Sequence, residues 1–91
     1  MTDIDQYLNS QSERFEEDLC DLLRIPSVSA KPEHRADVRR AAEWVAARFE
    51  GIGLRSEVIA TEGHPLVIAE SAHVEGAPTV LVYGHYDVQP V

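Results

Sequence analysis

The stretch 79-TVLVYGHYDVQPV-91 decides how this chain is read. Val80, Leu81, Val82 and Tyr83 form an apolar run of the kind found in a strand covered on both faces. Gly84 follows, and then His85 and Asp87 stand two residues apart. In extended backbone, residues i and i+2 point to the same face. His85 and Asp87 are therefore expected to project together from the carboxyl end of a buried strand, where ligands bind in open α/β sheets. A neutral imidazole is a good ligand for a divalent ion, and its second ring nitrogen usually donates to a carboxylate that fixes the tautomer. His-x-Asp alone is a weak signal. The plain alternative is a strand-end pair bonded to local backbone.

Upstream of this run the pattern alternates. "LVIAES" at 66–71 and "LRSEVIAT" at 54–61 each read as a half-buried strand, and the short "EGHP" turn between them favours an antiparallel hairpin. "AHVEGAP" is a second turn before the strand at 79–84. Before Gly53 the period changes to 3.6. Val38, Ala41, Ala42, Val45, Phe49 and Ile52 make one face of a helix over about 33–52, and Gly51 and Gly53 stop it. Trp44 and Arg48 are spaced to stack. Arg35, Arg39, Arg40 and Arg48 read as a solvated face rather than a phosphate site.

Residues 3–24 read as a first amphipathic helix through Ile4, Tyr7, Leu8, Phe15, Leu19, Leu22 and Leu23. Thr2 or Asp3 can cap its start, and Pro26 ends it near Ile25. The connector "IPSVSAKPE" carries Ser27 and Ser29. No Gly-x-Ser-x-Gly elbow surrounds either one, so both read as turn and cap residues. Cys20 reads as a structural thiol on the helix. His34, His64 and His73 read as exposed residues on separate loops. The expected fold class is α/β: two helices followed by three strands, αα-βββ.

Ninety-one residues make one small domain, with a thin core that buries only ~60–65% of the unfolded surface. Sixteen acidic residues against eight basic ones give a net charge of −8, which argues against nucleic-acid and anionic-membrane partners. One cysteine excludes an intrachain disulfide. "MTDIDQYLNS" has neither a basic start nor an apolar signal core, and no apolar run approaches the ~20 residues of a membrane helix. The location expected on these grounds is cytoplasmic.

"VLVYGHYDVQP" at 80–90 closely resembles the first metal motif of the co-catalytic zinc exopeptidases, which include carnosinase-type dipeptidases, aminoacylases and the desuccinylase of lysine synthesis. The carnosinase-type dipeptidase branch is the nearest in appearance. "LLRIPSVSA" at 22–30 resembles the connector after the first helix of those enzymes, so the resemblance covers the whole chain. It implies that His85 is a ligand to one of two divalent metal ions, zinc in the family. It implies that Asp87 is the active-site aspartate that orients a metal ligand. The implied reaction is metal-assisted hydrolysis of a dipeptide, or of an N-acyl amino acid, with a glutamate as general base.

In the family that glutamate and the remaining ligands lie downstream of this motif, and a second domain forms a homodimer. Residues 1–91 are thus expected to be the N-terminal part of a three-layer αβα metallopeptidase catalytic domain. The isolated chain is expected to be inactive, to hold zinc weakly, and to self-associate through the open edge at Val80, Leu81 and Val82. The reading from another class is a non-enzymatic α/β interaction module whose His-x-Asp is incidental.

Overall fold

A computed structural model of the chain describes residues 2–91. Three helices precede a two-stranded antiparallel sheet: α1 (Asp3–Ser10), α2 (Ser12–Leu23), α3 (Arg35–Gly51), β1 (Arg55–Ile59) and β2 (Leu66–Glu70). A single 3₁₀ turn, Pro32–His34, leads into α3.

The helix expected over 3–24 is two helices. Gln11 interrupts it with φ −106° and ψ 5°. The cause is the polar run Asn9-Ser10-Gln11-Ser12, whose hydroxyls turn back onto the backbone. Ser10 Oγ donates to the Tyr7 carbonyl at 2.8 Å, and Ser12 Oγ donates to the Asn9 carbonyl at 3.2 Å. Tyr7 and Phe15 meet edge to face across the break, with centroids 6.1 Å apart. Thr2 caps α1 as expected: Asp5 N–H donates to Thr2 Oγ1, and the Asp5 carboxylate returns to Thr2 N. An ion pair between Arg48 and Asp18 ties α2 to α3.

Helix α3 ends where the glycines indicate. Gly53 takes φ 89°, which glycine adopts without strain. Gly53 N–H donates to the Glu50 carbonyl and Leu54 N–H to the Phe49 carbonyl, both at 3.0 Å, closing the helix in a Schellman motif. Arg48 stacks on Trp44, with its guanidinium carbon 5.5 Å from the ring centroid. Two more α3 arginines are paired within the helix. Arg39 Nε meets Glu43 Oε1 at 3.0 Å, and Arg40 Nη2 meets Asp37 Oδ1 at 3.2 Å.

The core lies between α3, the hairpin and the connector. It consists of Val38, Ala41, Ala42, Ile25 and Val28, with the side chain of Ser27 inside it. Alanines on α3 let the helix approach the sheet closely. Ser56 on β1 fastens the two layers, its Oγ donating to the Ala46 carbonyl at 2.9 Å and its N–H to Glu50 Oε1 at 3.0 Å. The hairpin register pairs Val58 with Val67 and Arg55 with Glu70, whose side chains form a 3.0 Å ion pair.

The strand expected at 79–84 does not form. Leu81 is 90% exposed and Val82 is 87% exposed, and among the described residues this run has no ladder partner. An apolar strand of this kind is held by neighbours on both edges and both faces, and none of the described segments occupies those places. The observed fold is therefore α/β with three helices and two strands.

Candidate metal centre

Extended chain without a partner strand still alternates. Tyr83, His85 and Asp87 fall in one row, the Tyr83 and His85 rings meeting edge to face at 5.5 Å. His85 Nδ1 lies 3.8 Å from Asp87 Oδ1, beyond hydrogen-bonding distance but within the range of an ion pair. The His85 side chain is 74% exposed and that of Asp87 is 36% exposed. With Nδ1 turned to Asp87, Nε2 is the ring atom left to take an ion.

The connector after α2 holds this row in place. Val88 pairs with Val28 in a parallel bridge, and Val88 N–H donates to the Ser27 carbonyl at 3.0 Å. Ser27, fully buried, donates its hydroxyl to the Tyr86 carbonyl at 3.1 Å. Ser29 Oγ donates to Asp87 Oδ2. His64 reaches over from the hairpin turn, its Nε2 lying 2.8 Å from the Ser29 carbonyl. Because a carbonyl only accepts, that nitrogen carries the proton. Tyr86 OH donates to the Pro65 carbonyl at 2.6 Å.

Three sequence expectations change here. Ser27 and Ser29 are more than turn residues, because their hydroxyls fasten residues 86 and 87. His64 is half-buried and bonded rather than exposed. His34 is half-buried as well, its Nδ1 2.8 Å from Asp37 Oδ2. His73 is exposed as expected, and Cys20 lies on α2. Nothing periodic marks the two serines as partners of a segment 58 residues away. The only local hint was a buried-looking "IPSV" between two helices.

Burial, and next the charge of Asp87, push the Tyr86 phenol above the ordinary tyrosine value of about 10, with Arg39 partly opposing. The folded chain thus holds this proton more tightly than the unfolded chain. Tyr86 then costs no stability below about pH 10, and its contribution is lost as the pH rises from there through the raised value. Tyr86→Phe should remove that part of the alkaline loss. Urea unfolding of both proteins at about pH 9 and about pH 11 measures it.

An imidazole backed by a carboxylate is a donor set that suits a divalent ion such as zinc, and His85 with Asp87 fits the start of such a site. A complete site needs three or four ligands. Among the described residues no three His, Cys, Asp or Glu come together to hold an ion. No helix among them is long and apolar enough to cross a membrane.

A His-x-Asp row in extended chain, fastened to the connector of a helical and hairpin unit, is the feature that defines the class of protein to compare. Comparison with known proteins narrows the class. No family model matches the chain. It is 36% identical over 89 residues to cysteinylglycine-S-conjugate dipeptidase of Corynebacterium striatum, covering 91% of this chain and 18% of that protein. It is 28% identical to the Cys-Gly metallodipeptidase dug1 of Schizosaccharomyces pombe, over 93% of this chain and 20% of that one. The solved structure of the dipeptidase Dug1p from Saccharomyces cerevisiae superposes with a TM-score of 0.84 at 26% identity, over 94% of this chain and 20% of that one. These relatives bear out the resemblance to the dipeptidase branch of the metallo-exopeptidases read from residues 80–90. The chain spans about a fifth of their length.

Proposed function

We propose that residues 1–91 are the N-terminal part of the catalytic domain of a metal-dependent dipeptidase, in which His85 is a metal ligand and Asp87 is the carboxylate that orients it. The observation that carries this reading is the His85–Asp87 row, held by the connector with Nδ1 facing the carboxylate. The names of the relatives support dipeptides of the cysteinylglycine kind as substrates. The three-layer αβα domain, two zinc ions and a homodimer belong to the same proposal.

Bound divalent ions would polarise the scissile carbonyl and supply a hydroxide at neutral pH. The contribution of this chain is to hold and orient. Asp87 Oδ1, 3.8 Å from His85 Nδ1, would close on Nδ1–H when an ion is bound, fixing the tautomer that leaves Nε2 free and raising the basicity of the ring. The closed loop at 27–29 keeps Asp87 from swinging away. The general base and the remaining ligands must come from elsewhere in the complete polypeptide.

In the complete polypeptide that carries residues 1–91, cysteinylglycine hydrolysis should stop on chelation and return with zinc. The 91-residue chain alone should show no turnover, and calorimetry should find no submicromolar zinc affinity. Turnover by the complete polypeptide that survives thorough chelation would overturn the reading. So would stoichiometric tight zinc binding by the short chain.

A further inference from the structure

Among the side chains the proposed mechanism leaves unassigned, those of the connector touch the site most directly. Asp87 has two carboxylate oxygens and a soft terminal torsion, so an unrestrained carboxylate can present either oxygen, or neither, to His85. Here Oδ2 is taken by the Ser29 hydroxyl, and Oδ1 is the oxygen that faces His85 Nδ1. A serine hydroxyl has one proton to give, and Ser29 gives it to Asp87.

The backbone of Ser29 is itself fixed from both sides. On one side its carbonyl accepts from His64 Nε2 at 2.8 Å. On the other, two residues earlier, Ser27 is locked by its own hydroxyl on the Tyr86 carbonyl and by Val88 N–H on its carbonyl. The hydroxyl of Ser29 is therefore delivered to Asp87 from a frame that does not depend on the Asp87 side chain.

We propose that Ser29 is a positioning residue of the site: its hydroxyl pins one oxygen of Asp87 so that the other orients His85, and His64 holds Ser29 in place to do so. This rests on His85 and Asp87 having the roles given above. Ser29 touches neither ion nor substrate and acts only through Asp87. Carboxylate–imidazole–metal relays are commonly lengthened by one more hydrogen bond to the carboxylate, and losing such outer partners costs 10–100-fold in affinity or activity.

The test uses the complete polypeptide and two readouts, the rate of zinc loss to a chelator and the steady-state constants for cysteinylglycine. Ser29→Ala should speed zinc loss about tenfold and lower kcat about tenfold, with KM unchanged within about twofold. Ser29→Thr, which keeps the hydroxyl, should restore both to within about threefold. In an Asp87→Asn background, Ser29→Ala should change zinc loss by less than about twofold, because the relay is already cut. If Ser29→Ala fails to fold, Ser29→Cys keeps the shape with a weaker donor and takes its place in every comparison.

Unchanged zinc loss in the alanine variant of an active, zinc-binding enzyme would overturn the positioning role and leave the dipeptidase reading standing. Losses that threonine does not rescue, and that add in full to those of Asp87→Asn, would make Ser29 merely structural and overturn it too. A wild-type polypeptide that neither binds zinc nor hydrolyses dipeptides would overturn both.

Discussion

Replacing His85 by alanine in the complete polypeptide is expected to lower kcat/KM for cysteinylglycine by about three orders of magnitude, or roughly 4 kcal/mol of transition-state stabilisation. His85 has one ring nitrogen turned to a carboxylate and the other left for an ion, in the row that the connector fastens. Removing it takes away a ligand, whereas removing Asp87 leaves the ligand and loosens its orientation. Asp87→Asn should therefore cost less, about 10–100-fold. The bound zinc should fall with His85→Ala and should be largely retained with Asp87→Asn. Atomic absorption on the purified variants checks the metal, and steady-state kinetics check the rate. The opposite order, with Asp87 dominant and His85 dispensable, would show that the imidazole is not on the metal.

Val82→Asp is expected to have opposite consequences in the complete and the short chain. If residues 79–84 are a covered central strand in the whole domain, the substitution places an unpaired charge in its interior. A loss of about 3–5 kcal/mol in unfolding free energy should follow. In the 91-residue chain Val82 is 87% exposed, so the same change should stay within about 0.5 kcal/mol. There it should instead reduce self-association, because Val80, Leu81 and Val82 offer an open edge on which a second copy can pair. Denaturant unfolding and sedimentation velocity read the two effects. A compact monomer of the short wild-type chain at high concentration would count against the open edge. A negligible loss in the complete polypeptide would place 79–84 on its surface.

Short-range features of the fold were legible in the sequence, and long-range ones were not. Thr2 as a cap, Gly53 as a stop, the Trp44–Arg48 stack and the hairpin at 55–70 each depend on residues a few positions apart. The break at Gln11 was written there too. The apolar series skips from Leu8 to Phe15 across six consecutive polar residues, a gap that an unbroken helix would not leave on its buried face. The absent strand at 79–84 could not be foreseen, because its pattern describes neighbours rather than itself. His85 and Asp87 were visible through their spacing. The serines that hold the row were not, since no periodicity relates "PSVS" to a segment so far along the chain.

The bonds between the connector and residues 86–88 close a loop of nearly sixty residues. Joining the ends of a flexible loop of that size costs roughly 3–4 kcal/mol of chain entropy. That cost is met late in folding, after the local helices and hairpin exist. Opening should run the other way. Amide exchange at Val88 should proceed by a partial unfolding that leaves Val38, Ala41 and Ala42 protected, at a free energy below that of global unfolding. A ligand that engages His85 and Asp87 together in the row the connector holds would slow exchange at Val88 by mass action before it stabilised anything else.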